Sequence, residues 1–283
     1  METAPTLPSR TIFNGSSKTE AMRNEGQLSA MTEQERPTKD RVGWLRLFGD
    51  PCLCWQGQPY PLSRRQPQAL LYYLALQGRP TTRQTLCQLF WPEAPALSSQ
   101  RRLTHVLDDL KRSLPTPALL EITKETIALN AALVSTDTAA FTELTAPNAT
   151  TAALAQATAL YAAPLLTGFG LPKQPTFEVW LLGERMLWDQ RYLATLARLV
   201  AQQRSERRHY DAVRTALRYL YSNGADEPMH RTLIELYGDL GDQDAVRRQY
   251  RWCVMVLSRE LGTQPTPVTE AAYTAALRKR YYT

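Results

Sequence analysis

The hydrophobic pattern of the chain changes its period near Leu62, and this change constrains the fold more than any other sequence feature. Before it, apolar and polar residues alternate in two short segments, residues 45–48 and Cys52–Trp55, which is typical of strands. The glutamine-glycine-glutamine sequence at residues 56–58 indicates a tight hairpin turn, and the alternation resumes after it. The sequence therefore predicts a small antiparallel sheet at the start of the folded region.

Beyond Leu62 the apolar residues recur about every 3.6 positions, which predicts three helices. The first ends before a Gly-Arg-Pro tripeptide, the second starts near Thr82, and the third covers residues 98–114. Two short strands follow, at residues 119–122 and 126–129, around a polar turn. Strands, three helices and a final hairpin, in this order, predict a winged helix-turn-helix.

From Thr138 onward the pattern is that of amphipathic helices throughout. The tetrapeptide Asp-Ala-Val-Arg occurs at residues 211–214 and again at 244–247, an offset of 33 residues. A period of this length is typical of tetratricopeptide-like helix pairs, which bury their apolar stripes against one another. The predicted fold class is mainly α with a small β component. A winged-helix DNA-binding domain is expected at residues 43–142 and a tetratricopeptide-like α-helical repeat domain at 143–283.

Composition separates the first 42 residues from the remainder of the 283-residue chain. Residues 1–42 carry six basic and six acidic side chains among Pro, Ser, Thr, Asn, Gly and Gln, so we expect a disordered tail. The chain has no basic and hydrophobic signal at its start and no apolar run near the roughly 20 residues of a membrane span. We therefore expect a cytoplasmic protein without membrane contact. A net charge of +6, from 33 Lys and Arg against 27 Asp and Glu, permits a polyanionic partner.

Residues capable of catalysis or metal binding are not grouped in the sequence. The pair Cys52-x-Cys54 lies in a strand pattern and is expected as reduced thiols packed in a core. Three histidines are widely separated, and His230 is expected to make a structural contact. No G-x-S-x-G, P-loop or H-E-x-x-H motif occurs. We therefore expect no enzyme, no metal and no cofactor.

The third predicted helix has two distinct faces. Its apolar seam consists of Leu103, Val106, Leu107, Leu110 and Leu114. Its opposite side carries polar residues, namely Ser98, Arg101, His105, Asp109 and Arg112, with Arg102 and Lys111 on the flanks. An α-helix fits the major groove of B-DNA, and residues near its N-terminus reach deepest, so Arg101, Arg102 and His105 are predicted to read bases. Arg112 and Lys111 are predicted to contact phosphates.

Four further basic residues fall where a winged helix would meet the DNA backbone. Lys124 is predicted at the tip of the hairpin and Arg83 at the start of the second helix, while Arg64 and Arg65 precede the first helix. The alternative for all of these residues is a solvated surface with local ion pairs, and the acidic pair at residues 108–109 favours it. The residues alone do not decide between DNA contacts and a solvated surface.

The order of motifs resembles the SARP family of transcriptional activators over about residues 44–277. The first half is similar to their OmpR-type winged helix through Leu45-Arg-Leu-Phe-Gly, Gly57-x-Pro59-x-x-Leu62-Ser, Arg65-Gln66, Ala69-Leu70-Leu71, Gly78-Arg79, Leu89-Phe90-Trp91-Pro92 and Leu103-x(6)-Leu110-Lys-Arg-x-Leu114. The second half is similar to their bacterial transcriptional activator domain through Leu160-Tyr161-x-x-Pro164-Leu165-Leu166-x-Gly168-Phe169, Phe177-x-x-Trp180, Glu184-Arg185, Tyr210-Asp-Ala, Glu227-x-x-His230-Arg231-x-Leu233-Ile-x-Leu236-Tyr237-x-x-x-Gly241-Asp242, Tyr250 and Glu260-Leu261-Gly262-x-x-Pro265.

This resemblance implies a regulator that binds repeated promoter elements of double-stranded DNA through the winged helix and contacts the sigma subunit of RNA polymerase. It also implies that the helical domain supports protein contacts or a homodimer. The chain departs from the family pattern in Asp108 or Asp109, where the family often has Arg, in a short wing without a glycine-rich turn, and in the tail before Trp44.

Two other functional classes fit the same sequence. One is a helical-repeat interaction scaffold whose winged helix binds protein rather than DNA, because fold alone does not determine function. The other is a ligand sensor, in which the helical domain binds a small molecule and repositions the winged helix. A sequence-specific regulator, with activation as its expected role, is the prediction that we carry forward.

Overall fold

The computed structural model describes residues 42–279, and the first sheet lies at the start of this range. Strands β1 (Gly43–Arg46), β2 (Cys52–Trp55) and β3 (Gln58–Tyr60) pair antiparallel. The hairpin turn between β2 and β3 places Gln56 at φ 52° and Gly57 at φ 80°, the two positive values that a tight turn of this kind requires. The predicted antiparallel sheet is therefore present, with its turn where the sequence placed it.

The next elements form the winged helix. They are α1 (Arg65–Gln77), β4 (Thr81–Thr82), α2 (Arg83–Phe90), α3 (Ala96–Ser113), β5 (Leu120–Ile122) and β6 (Thr126–Leu129). Helix α1 ends at Gly78, whose φ of 60° is the left-handed conformation that glycine adopts most readily. Strand β4 pairs with the final hairpin, so the second sheet has the order β4-β6-β5. The predicted succession of three helices and a hairpin is confirmed.

Strand β7 (Val134–Thr136) returns the chain to the first sheet and pairs in parallel with β1, giving the order β3-β2-β1-β7. Seven helices follow: α4 (Asp137–Leu144), α5 (Thr151–Leu160), α6 (Pro175–Ser205), α7 (His209–Ser222), α8 (Glu227–Asp239), α9 (Gln243–Leu261) and α10 (Pro267–Arg278). Helices α6 to α10 pack in succession, and α8 contacts α7, α9 and α10. The fold class, a winged helix followed by a helical-repeat domain, is confirmed.

The repeated tetrapeptide occupies corresponding positions in two helices. Residues 211–214 lie in the first turns of α7, and residues 244–247 lie in the first turns of α9. In both copies Ala and Val are buried, while Asp and Arg form an ion pair on the surface three residues apart. Because each copy buries the same two positions against a neighbouring helix, the sequence repeat reflects a repeated packing arrangement.

The winged helix and the helical region share one hydrophobic core. Phe48, which follows β1, contacts the rings of Phe141, Tyr161 and Trp188, with centroids 4.8 to 5.7 Å apart. Phe90 at the end of α2 stacks on the Phe177 ring at 5.4 Å. The predicted boundary after residue 142 falls inside α4, whose Phe141 belongs to this core. The expected division at this boundary stays a prediction. The predicted tail at residues 1–42 lies outside the described residues, except for Val42.

The two cysteines of β2 differ from expectation. On β2, Leu53 is the buried residue, while Cys52 and Cys54 lie on the other face of the strand and are half-buried. The expectation of thiols in a core is thus wrong, because the alternation of β2 has the opposite phase. On α6, Phe177 and Leu181 are buried, whereas Leu187 is exposed.

The closest backbone approach among the described glycines is at Gly238 on α8. A Cβ there would lie 2.8 Å from the Cβ and 3.0 Å from the Cα of Ala276 on α10. We expect Gly238→Ala to lower the free energy of unfolding by about 1–3 kcal/mol, because α8 and α10 would have to separate. Chemical denaturation measures this loss.

A matched control is Gly183→Ala on α6, where an added Cβ has nothing within 4 Å. This exposed position should gain roughly 0.5–1 kcal/mol, because alanine favours a helix over glycine. Equal effects of the two substitutions would show that the contact between Gly238 and Ala276 does not limit the packing.

Candidate nucleic-acid interface

Helix α3 is held by its apolar seam. Leu103, Val106, Leu107 and Leu110 are buried against α1 and α2, and Leu114 closes the seam just after the helix. Their spacing of three and four residues fixes the rotation of the helix about its axis. The opposite side of α3 therefore faces solvent, as the sequence predicts.

Four predicted site residues lie on this solvent side. Ser98, Arg101, Arg102 and His105 are all exposed on the N-terminal half of α3. Within residues 42–279, no ion pair or side-chain hydrogen bond engages any of the three basic side chains. The donors of both guanidinium groups are thus available to a ligand.

The C-terminal half of α3 is different, because its basic residues are paired with carboxylates. Asp109 accepts a hydrogen bond from Arg112 and another from Arg64, whose Nη1 lies 2.5 Å from the Asp109 Oδ2. These two guanidinium groups lower the pKa of Asp109. Lys111 lies 3.7 Å from Asp108. Asp109 therefore clamps α3 to the residue that precedes α1, a role that the sequence prediction missed.

The wing places two more of the predicted residues at one end of the domain. Lys124 is exposed at the tip of the turn between β5 and β6. Arg83 begins α2 and reaches the same turn, since its backbone N–H donates to the Glu125 carbonyl at 2.9 Å and its Nη2 lies 3.4 Å from the Thr123 carbonyl. The hydroxyl of Thr123 accepts from the Thr126 N–H at 2.8 Å and holds the turn closed.

Comparison with known proteins places the chain in a family. A sequence profile of the bacterial transcriptional activator domain matches residues 130–277, more than half of the chain. The chain belongs to this family of bacterial transcriptional activators. The resemblance to SARP activators is thereby confirmed. No curated protein matches the activator with significance.

Among solved structures, the activator is similar to EmbR of Mycobacterium tuberculosis, solved in complex with a low affinity phosphopeptide. The two share 17% sequence identity, and the match has a TM-score of 0.61. It covers 86% of this chain and 67% of EmbR. At this level of identity the match supports the fold, a winged helix followed by helical repeats.

Arg65 has a structural contact in the activator. Its Nη1 donates to the Gly170 carbonyl at 3.0 Å, and its guanidinium lies 5.9 Å from the centre of the Phe169 ring. Both partners belong to the segment before α6, so Arg65 ties α1 to the helical region. The side chain is nevertheless exposed, and its contact with the DNA backbone stays a prediction.

His230 is a buried structural residue, as expected. Its Nε2 lies 2.8 Å from the Gly224 carbonyl and its Nδ1 lies 2.6 Å from Nε2 of Gln249, so each ring nitrogen has a partner. Burial lowers the pKa of His230, which favours a neutral ring that donates to Gly224 and accepts from Gln249. Within residues 42–279 no group of three or more His, Cys, Asp or Glu could hold a metal ion.

The clearest candidate for a ligand sensor is a groove of about 550 Å³ between residues 161–164, which follow α5, and helices α6 and α7. Its two charged groups are already bonded to the protein: Arg218 donates to the Thr158 carbonyl at 2.6 Å, and Asp189 accepts from the Tyr161 hydroxyl. The ring of Tyr192 also lies beneath Arg218, at 5.3 Å. The groove therefore has few polar groups that are free to bind a small molecule.

None of the helices described is long and apolar enough to cross a membrane.

Proposed function

We propose that this activator binds double-stranded promoter DNA in a sequence-specific manner, with α3 in the major groove. The observation that carries the proposal is the unpaired, exposed state of Arg101, Arg102 and His105 on the solvent side of α3. Arginine forks pair with the acceptors of guanine, and a helix presents its first turns to base edges. These three residues are the proposed base contacts, with Ser98 beside them.

The backbone contacts follow from the same placement. Lys124 on the wing and Arg83 at the start of α2 lie together and are proposed to contact phosphates. Arg64, Lys111 and Arg112 are proposed as weaker phosphate contacts, because nearby carboxylates offset part of their charge. Binding energy would then come largely from phosphates, and α3 would add sequence preference.

The partners proposed in addition to DNA are RNA polymerase, through its sigma subunit, and a second copy of the chain. Both proposals rest on membership of the activator family. Activation of transcription requires contact with the transcription machinery, and two copies would let the protein read paired half-sites. Direct repeats would favour protomers arranged head to tail, whereas palindromes would favour a two-fold dimer.

The deciding experiment has two stages and uses the full chain. Binding to random duplex is first measured against salt concentration, where we expect a steep negative slope of log affinity against log salt. Bound duplexes are then selected from a random pool, which gives the operator and its symmetry. No detectable binding to duplex at low salt would favour the alternative, a scaffold whose winged helix binds protein.

The wing offers a separate test through Lys124→Ala. We expect this variant to lose affinity for operator and random duplex by the same factor and to make the salt slope shallower by about 1, because one phosphate contact is lost. Fluorescence anisotropy at several salt concentrations measures both quantities. The control is Arg214→Ala on α7, which removes one positive charge outside the winged helix. A loss confined to one base position would contradict the phosphate role of Lys124.

A further inference from the structure

Helix α9 has an outward face that is exposed to solvent in the described part of the chain. The residues on it follow the spacing i, i+3, i+4, i+7 and i+11, and all are exposed: Arg248, Arg251, Trp252, Met255 and Arg259. Trp252 is 57% exposed and Met255 is 56% exposed. We call these five residues the α9 surface.

The stability of α9 does not depend on this surface. Its opposite side packs on α8 and α10 through buried residues that include Val246, Cys253 and Leu257. Its ends have their own caps, because Asp242 accepts from the Ala245 N–H at 2.8 Å and Gly262 adopts a left-handed conformation. Of the α9 surface, Arg259 alone lies in the last turn, where it complements the helix dipole.

The three arginines of the α9 surface have no carboxylate partner within residues 42–279. Arg251 donates only to a backbone carbonyl, at 3.4 Å. Some other arginines of the helical region do have carboxylate partners: Arg247 lies 2.9 Å from Asp244, and Arg204 lies 2.6 Å from Glu235. The α9 surface is therefore a basic strip with two large apolar side chains inside it.

We propose that the α9 surface docks an acidic amphipathic helix of a partner protein. Trp252 and Met255 would be covered by the apolar side of that helix, while its carboxylates would pair with Arg248, Arg251 and Arg259. Tryptophan, methionine and arginine are enriched at protein interfaces, and helices recognise one another through apolar anchors at this spacing. Docking at the α9 surface does not require DNA binding by α3.

A nucleic acid would satisfy only part of this surface. Phosphates could neutralise the three arginines, but the backbone of a duplex offers no apolar face to cover Trp252 and Met255. An acidic helix with leucine or phenylalanine on one side matches both features, the positive charge and the exposed apolar area. The combination of positive charge and exposed apolar area therefore favours a protein partner.

The test uses the full chain and a display library of 18-residue helix-forming peptides with one randomised face. We expect the enriched peptides to combine Asp or Glu with large apolar residues at spacings of three and four. Their affinity should fall at least about tenfold for Trp252→Ala and for Arg248→Glu with Arg251→Glu. Enrichment of neutral or basic peptides, or of no peptides, overturns the proposal.

Matched controls are Tyr221→Ala, which truncates an exposed aromatic side chain on α7, and Arg207→Glu with Arg214→Glu, which reverses two charges elsewhere. Both controls should retain peptide affinity. Circular dichroism and the melting temperature verify that each variant folds. If the α9 charge reversal reduced affinity for random duplex more than its control does, the α9 surface would be a phosphate contact and the proposal would be wrong. Loss of DNA binding by α3 variants alone leaves the peptide result unaffected.

Discussion

Arg101→Ala and Arg102→Ala are each expected to reduce affinity for the selected operator by roughly 5- to 150-fold, equivalent to about 1–3 kcal/mol. Both guanidinium groups are exposed near the start of α3 and have no ion pair among the described residues. A bidentate contact with guanine is lost entirely when the fork is removed, since alanine supplies no donor. The loss should therefore be large for the operator and small for random duplex.

The measurement is a titration of operator, single-base variants of the operator and random duplex at one fixed salt concentration. The control for charge is again Arg214→Ala on α7. If Arg101 or Arg102 reads a base, its variant should also lose discrimination at one position of the operator. Unchanged affinity for the operator would remove that residue from the proposed base contacts.

Arg112→Ala tests the C-terminal end of the same helix, where the basic residues are paired. Arg112 is held by Asp109, which is also bonded to Arg64, so the three side chains together carry a single net positive charge. We expect an operator affinity within about threefold of the parent, because an exposed pair of this kind contributes little and its charge is partly compensated. A loss as large as that of Arg101→Ala would contradict the proposal that the base contacts lie at the N-terminal end of α3.

The sequence could predict those features that depend on local periodicity. Three features depend on residues that are close together in the chain. They are the seam of α3, the hairpin turn at Gln56-Gly57 and the packing of each copy of the Asp-Ala-Val-Arg repeat. The exposed side of α3 followed directly, because a helix with a known buried seam has a known outer face. The outward position of Ser98, Arg101, Arg102 and His105 could therefore be predicted from the sequence.

The remaining features depend on pairs that are distant in the chain. Arg64 and Asp109 are 45 residues apart, and Arg65 and Gly170 are 105 apart, so no local pattern indicates that these arginines are engaged. Strand β4 has only two residues, too few to show an alternation. The parallel pairing of β7 with β1 joins Gly43 to Val134. Tertiary packing determines all of these.

One buried carboxylate, Asp137, links the residues just after β1 to the start of the helical region. Its two oxygens accept hydrogen bonds from the Leu47 and Phe48 N–H groups at 2.8 to 2.9 Å, and all three residues are buried. Asp137 is also the first residue of α4, where its charge complements the helix dipole. The carboxylate thus joins the end of β1 to the beginning of α4, beneath the shared aromatic core.

Asp137→Ala is expected to lower the free energy of unfolding at pH 7 by about 2–4 kcal/mol. Two buried N–H groups lose their acceptor, which costs about 1–3 kcal/mol each, and the loss is partly offset because a buried charge is removed. Burial raises the pKa of Asp137 to about 6, against the opposing effect of its backbone hydrogen bonds. The folded protein therefore holds the Asp137 proton more tightly than the unfolded chain, whose carboxyl titrates near its ordinary value.

The sign of the pH dependence follows from this difference. Between about pH 4 and pH 6 the folded state binds more protons at Asp137, so its contribution to stability is largest at low pH and decreases as the pH rises through this window. We expect urea denaturation at pH 5 and pH 7 to show a larger cost of Asp137→Ala at pH 5. Asp244→Ala, in the exposed first turn of α9, controls for loss of a helix-terminal carboxylate and should cost less than about 1 kcal/mol. A cost for Asp137→Ala as small as this control would show that the carboxylate does not hold β1 to α4. A cost that does not change with pH would show that folding does not raise the pKa of Asp137.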